Sequence, residues 1–298
     1  MHERDVISDD AWAVIEPLLP VVQGRSRPWL PHRMVVEGIV WRFRTGSPWR
    51  DLPERFGPWN TVFKRFDRWA KDGTWQEILT AVQARSDQLG KLDWVVSIDS
   101  TITRVHQHGA TLARTTGARS NYTILGPEPS DHAIGKSRGG LTCKIHLVAD
   151  GRGRPLSMIL TPGNVNDTTM LADTIDRIRV PTGGLGRPRT RPERVLADKG
   201  YPSRANRIYL AGRGIKATIP IKADQERNRR KRGSAGGRPP AFDAEIYKRR
   251  NVVERSFNRL KNWRGIAMRS DKTARNYQAG VTLAATLIWI NTDLLNTA

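Results

Sequence analysis

Trp94-Val-Val-Ser-Ile-Asp99-Ser-Thr is the stretch whose reading decides the fold. Its apolar, β-branched run lacks alternation, as in a strand covered on both faces, and Asp99 comes at its end. Arg194-Val-Leu-Ala-Asp198-Lys-Gly200-Tyr201 repeats the design: an apolar run, an acid, then a glycine that breaks the strand. Ligand sites in mixed or parallel sheets lie beyond the carboxyl ends of strands, so two such strands side by side would present two aspartates at one place. Taken singly, each such aspartate is more often a turn or cap residue.

A third acid lies in Tyr247-Lys-Arg-Arg250-Asn-Val-Val-Glu254-Arg-Ser-Phe-Asn-Arg-Leu-Lys261, spaced Y-x2-R-x3-E-x6-K. On one α-helix Tyr247, Arg250, Glu254 and Lys261 fall within an arc of about 60°. Ile246, Val253, Phe257 and Leu260 fill an adjoining stripe that faces a core. The plain alternative is an amphipathic helix whose Glu254 pairs with Arg250 one turn back. Three carboxylates gathered together need cations between them, and Mg²⁺ is the natural occupant of an all-oxygen site.

The order Asp…Asp…Glu with this helix signature resembles the DDE transposases of bacterial insertion sequences, most of all the branch named after insertion sequence five. The resemblance covers nearly the whole chain. It runs through Asp99-Ser-Thr-Ile-Thr-Arg104-Val-His106-Gln-His108, Ser137-Arg138-Gly-Gly-Leu-Thr-Cys143-Lys144-Ile-His146 and Thr161-Pro-Gly163-Asn164-Val-Asn-Asp167. It continues through Ala197 to Tyr201 and Arg250 to Phe257, and Ser8 to Trp12 with Pro17 to Pro20 is similar to that branch's N-terminal module. One departure is small: the common Thr-Thr-Lys-Ile-His reads Thr142-Cys143-Lys144 here.

Composition points the same way. Lys and Arg number 50 against 29 Asp and Glu, a formal net charge of +21. Such an excess favours polyanions, with nucleic acid ahead of an anionic membrane. No apolar run approaches the ~20 residues of a membrane span, no signal segment is evident, and the lone Cys143 cannot close an internal disulfide. The expected home is a reducing cytoplasm, with the protein on the nucleoid when DNA-bound.

Seven of the ten tryptophans fall at or before Trp75, which marks out an N-terminal unit. Asp9 to Leu19 reads as a helix packed through Trp12, Ile15 and Leu19, and Pro31 to Arg44 as a second. Trp49 to Phe56 reads as a short helix ended by Gly57-Pro58, followed by another from Asn60 as N-cap. The last carries Lys64, Arg65 and Arg68, a pattern that suggests helix-turn-helix, though a plain bundle with a wet cationic face has the same periodicity.

From Asp93 the elements read β, β, β, α, β, α, β, α, the order of a ribonuclease-H-like core. Leu141 to Ala149 and Pro155 to Leu160 form a hairpin at Asp150-Gly151. Asp167 to Arg179 and Pro202 to Arg213 are helices, and Ile215 to Ile221 is the last strand. The expected class is therefore α/β: an all-α helix-turn-helix-type domain over 1–88, then a ribonuclease-H-like mixed-sheet domain over 89–298. The second domain would carry a basic insertion loop at 222–240 and a C-terminal helix. That loop bears Arg229, Arg230, Lys231 and Arg232 and has too few apolar residues to bury itself. Thr103 to Arg138 reads as a second irregular stretch. His106 and His108, two apart with no cysteine, fail zinc spacing; a DNA- or water-positioning role near Asp99 stays open. His146 reads as structural.

The resemblance implies a transposase that binds the ends of a mobile element, cleaves phosphodiester bonds and joins 3′-hydroxyl ends to target DNA. Asp99, Asp198 and Glu254 would hold two Mg²⁺, with Mn²⁺ as a substitute. Tyr247, Arg250 and Lys261 would contact DNA near the scissile bond, and the partners would be double-stranded DNA and a second copy of the chain. A ribonuclease-H-like nuclease without strand transfer and a transposase-derived DNA-binding protein are the other two readings.

Overall fold

The computed structural model describes residues 7–21, 29–110, 132–137, 139–184 and 186–294. Of the expected Thr103 to Arg138 stretch, residues 111–131 and Arg138 lie outside this description.

Four helices come first: α1 (Asp9–Ile15), α2 (His32–Thr45), α3 (Trp59–Lys71) and α4 (Thr74–Gln88). Trp12, Ile15 and Leu19 are buried as expected. The segment before Gly57-Pro58 is not an α-helix: it forms two 3₁₀ turns, Trp49–Asp51 and Glu54–Phe56. Pro53 sits between them, lacking the N–H that a continuous helix needs. Asn60 lies inside α3, whose N-cap is Pro58.

The sheet follows. Strand β1 spans Val95–Val105, β2 Gly135–Ser137, β3 Gly140–Ala149 and β4 Pro155–Pro162. Then come α5 (Leu171–Asp176), β5 (Arg194–Leu196), α6 (Arg204–Gly212) and β6 (Lys216–Thr218). β1 and β4 flank β3 antiparallel; β5 runs parallel to β1, and β6 parallel to β5. The resulting order, β4-β3-β1-β5-β6, is that of a ribonuclease-H-like sheet. The central β3 is buried without a break from Thr142 to Ala149, so both of its faces are covered. The β3–β4 hairpin turns at Asp150, and Gly153 takes the left-handed conformation there, φ 77°.

One expectation fails at β1. The strand does not end at Asp99 but runs on to Val105, pairing Ser100 with His146 and Arg104 with Thr142. Ser100-Thr-Ile-Thr looks like a loop by polarity, yet threonine and isoleucine suit the pleat and β3 supplies the ladder.

The basic segment departs further. Ala223–Lys231 is a helix, α7, exposed along most of its length and with no buried residue, followed by a 3₁₀ turn at Gly233–Gly236. Asp224 and Glu226 in its first turn and Arg229 to Lys231 in its last complement the helix dipole. The Glu254 helix is likewise not uniform. It comprises α8 (Ala244–Tyr247), a 3₁₀ turn at Lys248–Asn251 and α9 (Val252–Lys261). Val253, Phe257 and Leu260 are buried as the stripe required, while Ile246 is only half-buried. α10 (Arg264–Ala267), β7 (Met268–Arg269, beside the end of β1) and α11 (Ala274–Trp289) complete the chain.

One apolar cluster runs from Ile7 to Ile290 and includes both the N-terminal helices and the sheet. α11 packs against α4, α3 and α2. At Gly280 on α11 an added Cβ would strike the ring of Phe43 on α2, so the missing side chain sets how closely those helices approach. Buried Arg42 pairs with Asp271 at 2.9 Å, and Gln83 of α4 donates to the Leu156 carbonyl of β4 at 2.9 Å.

Candidate active site

Strand register brings two of the acids level. Ser97 of β1 pairs with Leu196 of β5, so Asp99, in mid-strand, and Asp198, just past the end of β5, come two residues further on at the same height. Asp198 is locked in a tight turn, its Oδ1 accepting the Gly200 N–H at 2.6 Å.

Arg250 is where the third acid joins them. Its Nη1 donates to Glu254 Oε1 at 2.7 Å, and its Nη2 to Asp99 Oδ2. Burial works against the guanidinium's charge, but Asp99, Glu254 and Asp198 together outweigh it and hold the Arg250 pKa above its ordinary value. Burial pushes Asp99 up to about 6; the charges of Asp198 and Asp167 add to this, while the Ser100 N–H, 2.8 Å from Oδ1, and Arg250 oppose it.

The acids thus gather around an arginine rather than forming a ready ion cage. Among the described residues no three acidic, histidine or cysteine side chains are set to hold one metal ion. The local Glu254–Arg250 pair is present, and the same guanidinium also reaches across to β1. The donor set is all carboxylate oxygen, which suits a hard divalent ion once Arg250 turns aside.

Beside Asp99 lies a network that the strand-end pattern does not mark. Asp167 follows β4 and accepts from Ser100 Oγ at 2.7 Å and from Lys144 Nζ at 2.9 Å. His146, fully buried on β3, bonds Thr161 Oγ1 through Nε2 at 2.8 Å, with Nδ1 3.9 Å from Asp167. Burial holds the His146 pKa down to about 4, with Lys144 adding to this and Asp167 opposing it. In the unfolded chain the ring titrates near 6.5. Between those values the unfolded state binds the extra proton, so the contribution is fully present above pH 6.5 and lost as pH falls toward 4. It amounts to at most about 3 kcal/mol. Denaturant titrations of His146→Gln at pH 4.5 and 7.5 should show a correspondingly smaller pH dependence than the wild type; an equal slope would rule this out.

The other expected site residues distribute unevenly. Tyr247 is half-buried, its ring 5.2 Å from that of Phe242. Lys261 donates to the Ile102 carbonyl at 3.0 Å, and burial lowers its pKa. Lys64 and Arg68 are exposed on α3, but Arg65 is not. Its guanidinium lies 4.0 Å over the Trp29 ring and bonds His32 Nδ1 at 3.2 Å, which removes it from the solvent face. On α7, Lys231 and the following Arg232 are exposed, Arg230 pairs with Glu226, and Arg229 is half-buried. His106 and His108 are not beside Asp99. They lie past the far end of β1, on the order of 20 Å along the strand, where both line a cavity of about 720 Å³ with Trp49 and Arg264.

Residues 90–289 match the family model described as "Transposase DDE domain", and residues 7–79 one described as "Putative transposase of IS4/5 family". The first match spans more than half of the chain, which therefore belongs to the DDE transposase family. A "Putative transposase for insertion sequence element IS402" from Burkholderia cepacia is 37% identical over 167 residues, 56% of this chain and 69% of the relative. The corresponding protein for element IS6501 from Brucella ovis is 31% identical over 150 residues, 50% of this chain and 99% of the relative. Among solved structures, a chain of the Mos1 transposase paired-end complex is 10% identical and covers 80% of this chain and 82% of that one. Its TM-score is 0.24, a likeness too slight to place any residue. No helix among the described residues is long and apolar enough to cross a membrane.

Proposed function

We propose that this DDE-type transposase binds the ends of a mobile DNA element, cleaves phosphodiester bonds there and joins the freed 3′-hydroxyls to target DNA. Asp99, Asp198 and Glu254 hold two Mg²⁺, for which Mn²⁺ substitutes. When bound, the ions supply an activated oxygen nucleophile and stabilise the leaving oxygen. The observation that carries this reading is Arg250: one guanidinium bonded to Asp99 and Glu254 in the field of all three acids. A cluster that needs a cation at its centre is suited to receive metal ions. The displaced Arg250 would then turn its two-pronged donor to a phosphate beside the scissile bond. Lys261 leaves the Ile102 carbonyl to do the same as a point charge, and Tyr247 stacks on DNA or bonds a phosphate.

Lys64 and Arg68 on α3 contact element ends, with Arg65 serving only to stiffen the helix against Trp29. The DNA complex is a homodimer. The deciding experiment is a strand-transfer assay with a pre-cleaved element end. Joined product supports the transposase reading; cleavage without joining points to a nuclease, and binding alone to a regulator.

α7 supplies sequence-blind grip. Arg229, Arg230, Lys231 and Arg232 replaced together by Gln, which preserves helix propensity, should weaken binding to all duplexes alike. The slope of log affinity against log salt should flatten by about 0.9 for each phosphate no longer neutralised. Filter binding across a salt series checks this, and an unchanged slope would leave α7 as a solvated surface helix.

A further inference from the structure

Tyr201 ends the Asp198-Lys-Gly-Tyr turn, and its phenol takes no part in the chemistry assigned to the acids. The side chain is 1% exposed, yet its hydroxyl has no hydrogen-bond partner among the described groups. A buried hydroxyl left unbonded is costly, so in a native fold it calls for an explanation.

Its backbone is fixed from both sides. The Tyr201 N–H donates to the Asp198 carbonyl at 3.2 Å. The Tyr201 carbonyl accepts from buried Asn206 Nδ2 at 3.1 Å, and that same amide donates to the Thr168 carbonyl at 3.0 Å, next to Asp167. Tyr201 is thereby tied to both acid-bearing turns that flank β1. Burial, followed by the negative charges of Asp99, Asp167 and Asp198, drives the phenol's pKa far above its ordinary value. The phenol stays protonated and is a donor in the field of three carboxylates. In the free chain Asp99 accepts from the Ser100 N–H at one oxygen and from Arg250 at the other, and not from Tyr201.

We propose that Tyr201 is a positioning residue of the carboxylate site, whose hydroxyl donates to Asp99 once Arg250 has left it and so orients that carboxylate as a ligand. The proposal rests on the reading of Asp99 as a metal ligand. A ligating carboxylate is normally fixed by an outer hydrogen bond, and loss of such a partner typically lowers metal affinity about 10- to 100-fold.

The test is Tyr201→Phe in the full chain, which keeps the ring and removes only the oxygen. Mn²⁺ affinity is measured by calorimetry and thermal unfolding without metal, with Asp99→Asn in parallel. The expected result is Mn²⁺ affinity reduced at least about tenfold, with a metal-free Tm unchanged or raised, because an unbonded buried oxygen has gone. Mn²⁺ affinity equal to wild type would overturn the proposal. A lowered metal-free Tm would also overturn it, since the hydroxyl would then be bonded within the free fold. If Asp99→Asn itself binds Mn²⁺ like wild type, the reading of the carboxylate site fails instead, and the role of Tyr201 falls with it.

Discussion

Asp99→Ala, Asp198→Ala and Glu254→Ala should each abolish DNA cleavage while leaving DNA affinity unchanged or slightly raised. Removing a single donor aimed at transition-state charge costs about 10²–10³ in rate, and each substitution would remove a ligand of the reacting centre itself. Cleavage should therefore fall by at least on the order of a thousandfold. Binding should survive for electrostatic reasons: removing an acid beside Arg250 makes an already cationic surface more positive. The acids are also light structural members. Glu254 is exposed and Asp99 and Asp198 are half-buried, so their loss leaves no deep cavity. Cleavage of a labelled element end and a mobility shift on the same DNA measure the two effects. Loss of both together in all three variants would make the cluster a structural ion-pair network.

The largest stability effect should come from the turn that follows β3. Asp150 and Arg154 form an ion pair with both side chains fully buried. Asp150 also accepts the Arg154 N–H at 2.8 Å and the Arg152 N–H at 3.1 Å, closing the hairpin turn. Arg154 donates to the Lys91 carbonyl at 2.8 Å and lies 3.9 Å over the Trp289 ring. Asp150→Ala strands a guanidinium in the core, which typically costs about 3–5 kcal/mol. Against a usual total of about 5–15 kcal/mol, that removes a large share of the margin of stability. Replacing both partners, Asp150→Ala with Arg154→Met, should recover part of the loss because no charge is then stranded. Urea titration reads both, and a single-variant loss below about 1 kcal/mol would contradict the burial argument.

Much of this was legible in the residues, for reasons that can be located. The β3–β4 hairpin stands out because an alternating strand pattern, Leu141 to Leu147, meets Asp150-Gly151. Asp198 follows the strand-end rule, but Asp99 sits in mid-strand because polar, β-branched residues continue the ladder beyond it. That rule does not reach Asp167, which lies five residues beyond Pro162 at the end of β4. Arg65 misleads because the rings that enclose it, Trp29 and Trp69, come from separate parts of the chain. Its place one turn before Trp69 was the available hint. α7 was hidden by its lack of apolar residues, although acids at its start and cations at its end mark a helix by charge order alone. That Arg250 bonds Asp99, 151 positions away, is a tertiary fact no local pattern carries.

The common core beneath α4 and α11 also bears on how such a chain can be divided. Only the six residues 89–94 separate α4 from β1, and they are fastened at several points. Trp94 Nε1 donates to Asp87 at 2.9 Å, the Lys91 carbonyl accepts from Arg154, and Asp93 pairs with Arg249. A gene broken in this connector into two shorter reading frames would not yield two self-sufficient proteins. The first product would expose the apolar face of α4 to water, and the second would leave α11 without its cover. Each half would need the other in order to fold, so their encounter would become a concentration-dependent step. An element fragmented in this way would depend on the supply of both pieces, and dilution of either would silence it.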